Sequence, residues 1–314
     1  MGRFNDLPKG ITFEILTRLP TESALECKLV CKIWRDLVNL PSFSELHLNH
    51  LNSADDDSGK LNFIIMSSEQ GLAEFYYTEY ENNCDGTPFI RQTRMNLNLP
   101  CMDYCFSGSH SGLICFDTWE DDNCIPAYIC NPVTRECIML PRSQGDYWWT
   151  GFGYIHSTNE YKVVSIYESE GESNVGIVQV YTVGSGTGWR NEGTADVNME
   201  YVSKFSGRFV SGAIHWENHH AGTIIAFHLN DEKFSELPAP PCWTPNAPRS
   251  SICLRVLGDF LCSIYYPTDR SSEIWLFKKN KDTCNDLRWR KEFSFDSYIW
   301  GAFGFTKSGR LLCY

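Results

Sequence analysis

YICNPVTRECIMLP (128–141) and IIAFHLNDEKFSELP (224–238) read as one pattern written twice: an apolar run, a polar break, a second run, then Leu-Pro. The runs are short and rich in β-branched and aromatic residues, and the breaks hold Asn, Asp, Pro and Thr. That is the pattern of a hairpin. The stretches before them also match, SGLICF at 111–116 and SGAIHW at 211–216. GDFLCSIYY (258–266) and SGRLLCY (308–314) repeat the same opening later in the chain. Turn-like breaks fall near Tyr80, Asn131, Gly184, Asn230 and Asn280, at steps of 51, 53, 46 and 50 residues.

A period near fifty residues, with two hairpins per unit, is the pattern of a kelch-like propeller blade. Each blade is a small twisted sheet that buries its faces only against its neighbours. Residues 61–314 are therefore expected to form an all-β propeller of about six blades. The next break at this period would fall at about position 330. The last blade is thus expected to be incomplete, or closed by an N-terminal strand at 61–66 (LNFIIM).

Upstream the period changes. In NDLPKGITFEILTRLP (5–20), Ile11, Ile15 and Leu19 recur every four residues with Leu16 alongside, which predicts a helix. Asn5 or Asp6 is the expected N-cap, Pro8 falls in the first turn, and Pro20 stops the helix. Thr21 or Ser23 starts a second helical run through Leu25, Leu29, Val30, Ile33, Trp34, Leu37 and Val38, which Pro41 is expected to end. A unit of 48 residues is marginal alone, so this apolar surface requires cover from the large domain or from another protein. NSADDDSGK (52–60) makes residues 49–60 a linker or long turn. The fold class expected is α+β multidomain: helices in 1–48, then the β domain.

Leu7-Pro8, Ile15-Leu16, Leu19-Pro20, Leu25, Val30-Cys31-Lys32, Trp34-Arg35, Leu37-Val38 and Pro41-x-Phe43, down to His47-Leu48, together resemble the F-box of plant F-box proteins. Residues 61–314 are similar to the domain that accompanies it. The carrying residues there are Ser111 to Ile114, Asn131-Pro132-x-Thr134, Leu140-Pro141, Gly151-Phe152-Gly153-Tyr154, Glu160 to Val164, Val180-Tyr181, Gly188-Trp189-Arg190, Gly212 to Trp216 and Leu237-Pro238. The resemblance implies docking on a Skp-type adaptor that bridges to a cullin scaffold, with a protein target held on the propeller for ubiquitination and proteasomal degradation. It assigns Leu7, Pro8, Ile15, Leu16, Leu19, Pro20, Leu25, Val30, Cys31, Trp34 and Leu37 to the adaptor interface or its immediate support. Ile33 and Val38 are read as ordinary helical core. Glu26 departs from the family's usual basic or neutral residue.

Composition narrows the function classes. Net charge is −12, and residues 49–172 hold six basic and 19 acidic residues, whereas 1–48 are neutral. Such a field repels nucleic-acid phosphates and suits a basic protein partner. No apolar run approaches the ~20 residues of a membrane span. The polar N-terminus is not a signal-peptide core, so a cytoplasmic or nuclear protein is expected. The 14 cysteines are scattered with no Cys-x-x-Cys pair, so Cys115, Cys130, Cys253 and Cys262 read as buried thiols, without a disulfide framework or zinc site.

No catalytic arrangement stands out, and neither a cofactor nor a metal is expected. Gly184-Ser-Gly-Thr-Gly188 lacks the following Lys-Ser/Thr of a phosphate loop and reads as a turn. His219-His220 lacks a helical partner at metal-ligand spacing, and His215 reads as structural. For target binding, exposed aromatics are the natural anchors: Trp119, Tyr147, Trp148, Trp149, Trp243 and Trp300. Two alternatives stand beside the ligase receptor. One is a propeller enzyme or sugar-binding protein with an intramolecularly packed helical prefix; the other is an F-box protein with a non-degradative role.

Overall fold

The computed structural model describes residues 7–58, 61–69, 72–82, 88–95, 97, 104–120, 123–142, 147–169, 172–196, 206–218, 221–243, 252–268, 271–279, 287–297, 299, 302–305 and 310–313. Four helices come first: α1 (Lys9–Leu16), α2 (Thr21–Cys27), α3 (Lys32–Val38) and α4 (Pro41–Ser58). Among the described residues twenty-one strands follow, as six antiparallel sheets taken in chain order. A propeller fold follows the helices, as the fifty-residue period predicted.

The first sheet has three strands, β1 (Leu61–Glu69), β2 (Leu72–Asn82) and β3 (Pro88–Met95). Four four-stranded sheets come next. They are β4 (Tyr104–His110), β5 (Leu113–Glu120), β6 (Asn123–Asn131) and β7 (Glu136–Met139); then β8 (Tyr147–Ile155), β9 (Glu160–Ser169), β10 (Glu172–Thr182) and β11 (Trp189–Asp196). After these come β12 (Arg208–Val210), β13 (Ala213–Asn218), β14 (Thr223–His228) and β15 (Lys233–Pro238); then β16 (Ile252–Leu257), β17 (Phe260–Thr268), β18 (Ser271–Lys279) and β19 (Leu287–Phe295). The last sheet holds β20 (Ala302–Phe305) and β21 (Leu311–Cys313).

The breaks near 80, 131, 184, 230 and 280 all join a sheet's last two strands, which is why they keep one period. Of the two endings expected for the last blade, the described residues show a two-stranded last sheet, and they pair the 61–66 strand elsewhere. LNFIIM lies in β1, hydrogen-bonded beside β2. Only two residues separate those strands, so local pairing costs far less loop-closure entropy than pairing with a distant sheet.

Turn chemistry sets the registers. Ser111 and Gly112 both take positive φ (44° and 82°), as do Ser211 and Gly212 (53° and 79°), the geometry of two-residue hairpins. This is the physical content of the repeated Ser-Gly. β13 and β14 are buried on both faces, whereas β15 alternates toward solvent. Inner strands are covered by neighbouring sheets and the outer strand is wetted.

The core accordingly lies between sheets. Trp149 of β8 stacks on Trp216 of β13 at 5.6 Å between ring centroids, and Ile166, Val178, Ile214 and Phe227 are among the residues buried with them. Gly151 and Gly153 open the approach: a Cβ on Gly153 would stand 2.3 Å from Phe209 Cδ2, and one on Gly151 2.5 Å from Ile214 Cγ2. Indole N–H groups join successive sheets, Trp189 donating to the Pro141 carbonyl oxygen and Trp289 to that of Pro238, each at 2.7 Å.

Several local expectations are corrected. Residues 49–58 continue α4 instead of forming a linker or long turn. Pro41 opens α4 rather than closing a run, because a helix's first turn needs no proline N–H. The run from Thr21 splits between α2 and α3, where Cys31 is extended (φ −159°, ψ 166°). The N-cap of α1 is Pro8 itself; Asn5 and Asp6 lie outside the described residues. Cys130 is not a free thiol: it faces Cys137 across β6 and β7 and is disulfide-bonded to it. Cys115 and Cys262 are buried thiols as expected, and burial pushes the Cys262 thiol up to about 12.

Candidate functional site: the apolar face of the helices

The helices bury Leu16, Ala24, Leu37, Val38 and Phe43 as one cluster, with Phe13, Leu19, Cys27 and Trp34 packed against it. α4 pins the others through His47. Its Nδ1 lies 2.9 Å from the Thr17 carbonyl oxygen and its Nε2 3.3 Å from Thr21 Oγ1, and its ring stacks on Phe43. Arg35 Nε donates to the Lys28 carbonyl oxygen and closes the turn between α2 and α3. Burial, with Glu26 nearby, pushes the Cys27 thiol up.

That cluster uses only part of the apolar set. Ile11 and Ile15 stand one helical turn apart on α1, 51% and 37% exposed. Leu29 and Val30, in the α2–α3 turn, are 81% and 60% exposed, and Ile33 on α3 is 49% exposed. Leu7, Leu40 and Leu46 are exposed as well. At the end of α1, Glu14 and Arg18 pair with each other, and the Arg18 hydrogen bond holds the Glu14 carboxyl below its usual range. Exposed apolar side chains gathered on so small a unit mark it as the candidate interaction surface.

The residues assigned to the adaptor interface therefore fall in two groups. Leu7, Pro8, Ile15, Pro20 and Val30 are exposed; Leu25 and Cys31 are half-buried. Leu16 and Leu37 are buried support, and Leu19 and Trp34 pack against that support. Val38 is core as read, but Ile33 is not. Ile11, Leu29, Ile33, Leu40 and Leu46 are exposed residues that the sequence reading left out of the interface. The split of α2 from α3 turns Ile33 outward, and a single helix from Thr21 to Leu40 conceals that.

The aromatic anchors fare differently. Trp149 is 1% exposed in its stack on Trp216, so it is core and offers a partner nothing. Trp243 is half-buried against Leu254 and Trp289, with its indole donating to Ser263 Oγ at 3.2 Å. The side chains of Trp119, Tyr147 and Trp148 lie outside the described residues although their strands are described; Trp300 lies wholly outside them. His215 is structural: it is buried and its Nδ1 faces the Arg208 carbonyl oxygen. Among the described residues no three His, Cys, Asp or Glu side chains are grouped to hold a metal, and no helix is long and apolar enough to cross a membrane.

Comparison with known proteins matches these two regions separately. A family described as the F-box domain matches residues 4–46, and one described as the F-box associated beta propeller domain matches 60–248. The chain is 27% identical over 333 aligned residues to the F-box protein At3g07870 of Arabidopsis thaliana, covering 95% of this chain and 74% of that one. It is 23% identical over 307 residues to the F-box/kelch-repeat protein At3g23880 of the same plant, covering 88% and 76%. With an F-box match over the helices and a propeller match over more than half its length, the chain belongs to the F-box proteins that carry an F-box-associated β-propeller domain.

Proposed function

We propose that this chain is the substrate-recognition subunit of a Skp–cullin–F-box ubiquitin ligase, acting in the cytoplasm or nucleus. Residues 1–48 dock on the Skp-type adaptor, which bridges to the cullin, and residues 61–314 hold a protein target. The chain itself is non-catalytic. It supplies proximity, holding the target where the ubiquitin-charged enzyme arrives. The observation that carries the reading is the apolar face left open beside a complete helical core: Leu7, Ile11, Ile15, Leu29, Val30 and Ile33. Covering apolar side chains that already meet water is favourable, which gives an adaptor a reason to bind there.

Leu19 and Trp34 pack on the helices' own core, so replacing them would damage the fold as well as the interface. A cleaner variant is Ile11→Asp with Ile33→Asp, at two exposed sites. The purified full chain should capture a recombinant Skp-type adaptor, and the variant should lose capture at least tenfold while keeping the melting temperature. Equal capture by the variant would defeat the reading.

A further inference from the structure

Four sheets of the propeller contribute to one open cavity of about 740 Å³, within the range of ligand sites. Its walls are the hairpin ends at 109–110, 154–157, 209–212 and 256–259, with Asn230 from the β14–β15 turn. Ser211-Gly212 and Gly258-Asp259, two of the repeated openings, are among them. Positive φ at Ser111, Gly112, Ser211, Gly212 and Gly258 holds the tight turns, so the mouth is framed by rigid hairpins and not by long loops.

The chemistry of the wall is specific. His110, Tyr154, His156 and Phe209 form an aromatic cluster: the His110 ring lies 5.2 Å from Tyr154, 5.7 Å from His156 and 5.1 Å from Phe209, centroid to centroid. Asp259 is the one carboxylate among the lining residues, and it is exposed. His110 Nε2 is buried with no hydrogen-bond partner among the described residues. Burial, together with nearby His156, holds this imidazole's pKa below its ordinary value and so keeps the ring neutral.

We propose that this cavity captures a lysine- or arginine-bearing segment of the protein target, its cation paired with Asp259 and lying against the accessible His156 and Phe209 rings, which the buried Tyr154 backs. Aromatic faces attract cations, and a single carboxylate at the rim fixes the sign of the charge that enters. The acidic excess of residues 49–172, six basic against 19 acidic, draws the same kind of partner. The inference rests on the receptor reading and adds to it the site and the chemical class of what is received.

The test uses the full chain and four peptides, Gly-Ser-X-Ser-Gly with X arginine, lysine, citrulline or glutamate. Binding is followed by the ring resonances of the eight histidines, with His110→Gln and His156→Gln variants supplying the assignments. Arginine and lysine peptides should shift both resonances saturably, about tenfold more tightly than citrulline, and glutamate should not bind. Asp259→Asn keeps a turn-compatible residue beside Gly258, so the chain should melt unchanged while the arginine peptide loses about tenfold in affinity and the citrulline peptide nothing. Equal shifts from all four peptides, no shifts, or unchanged arginine affinity in Asp259→Asn would overturn the proposal. Adaptor capture on the same sample separates the two readings. If capture persists while the peptides fail, the cavity assignment alone falls; if capture fails, the receptor assignment falls whatever the peptides do.

Discussion

Burial pulls the imidazole of His215 down to a pKa of about 4, while the Arg208 carbonyl oxygen opposite Nδ1 works against that shift. The unfolded chain titrates this group near 6.5, so between the two values it binds more protons than the folded chain does. The contribution to stability is therefore complete above about 6.5, and it is lost as pH falls toward 4. Its size is on the order of 3 kcal/mol. His215→Gln should flatten the decline in unfolding free energy between pH 7 and pH 5, measured by urea denaturation at each pH; a decline as steep as the parent's would assign it to other groups. Gly153 is a second test at this scale. Phe209 and Leu229 leave no room for a Cβ, so Gly153→Ala should cost about 1–3 kcal/mol in the same assay. The string GFGY showed in the sequence that glycine recurs at 151 and 153, but the reason is a neighbouring sheet some sixty residues away, which no local pattern contains. Trp149 failed as a surface anchor for the same cause: its partner, Trp216, belongs to the next sheet.

Between elements, one contact recurs at the period of the repeat. Trp189 on β11 closes on the Pro141 carbonyl oxygen, 48 residues back, and Trp289 on β19 closes on that of Pro238, 51 residues back. Each ties a sheet's outer strand to the Leu-Pro that ends an earlier outer strand. Phe in place of Trp289 keeps most of the apolar contact with Phe277 and removes only the N–H donor. Trp289→Phe should therefore lower stability by about 1 kcal/mol. Amide exchange should quicken in β19 and β15 while α1 to α3 stay unchanged; uniform quickening would mean that the latch is not local. Leu-Pro and the fifty-residue step were legible because turns and strand ends are written in local sequence. Helix boundaries were less so. The run from Thr21 to Leu40 keeps its apolar spacing through the break at Cys31, and a proline opening a helix looks the same as one closing it.

At the scale of the molecule, periodicity gave the propeller, and apolar excess gave the exposed apolar residues of the helices. How the ring ends was not legible, because β1 fits a neighbouring sheet or a distant one equally well by its pattern, and only pairing distinguishes them. Nor was the division of the helical apolar residues into core and face, which depends on α4 and its His47 contacts. That division sets opposite expectations for two kinds of substitution in the lone full-length chain. Leu16 is 1% exposed within the helical cluster, so Leu16→Ala should cost about 2–5 kcal/mol and increase self-association by loosening the fold. Leu29→Asp with Val30→Asp alters two side chains that meet solvent in the α2–α3 turn. It should leave the melting temperature within a few degrees, because surface changes away from special features seldom exceed about 0.5 kcal/mol each. It should also make the lone chain less self-associating in light scattering, since two apolar side chains become charged, and abolish adaptor capture in the same preparation. If the double aspartate variant melts as early as Leu16→Ala, those residues belong to the core and the exposed face is not a docking surface.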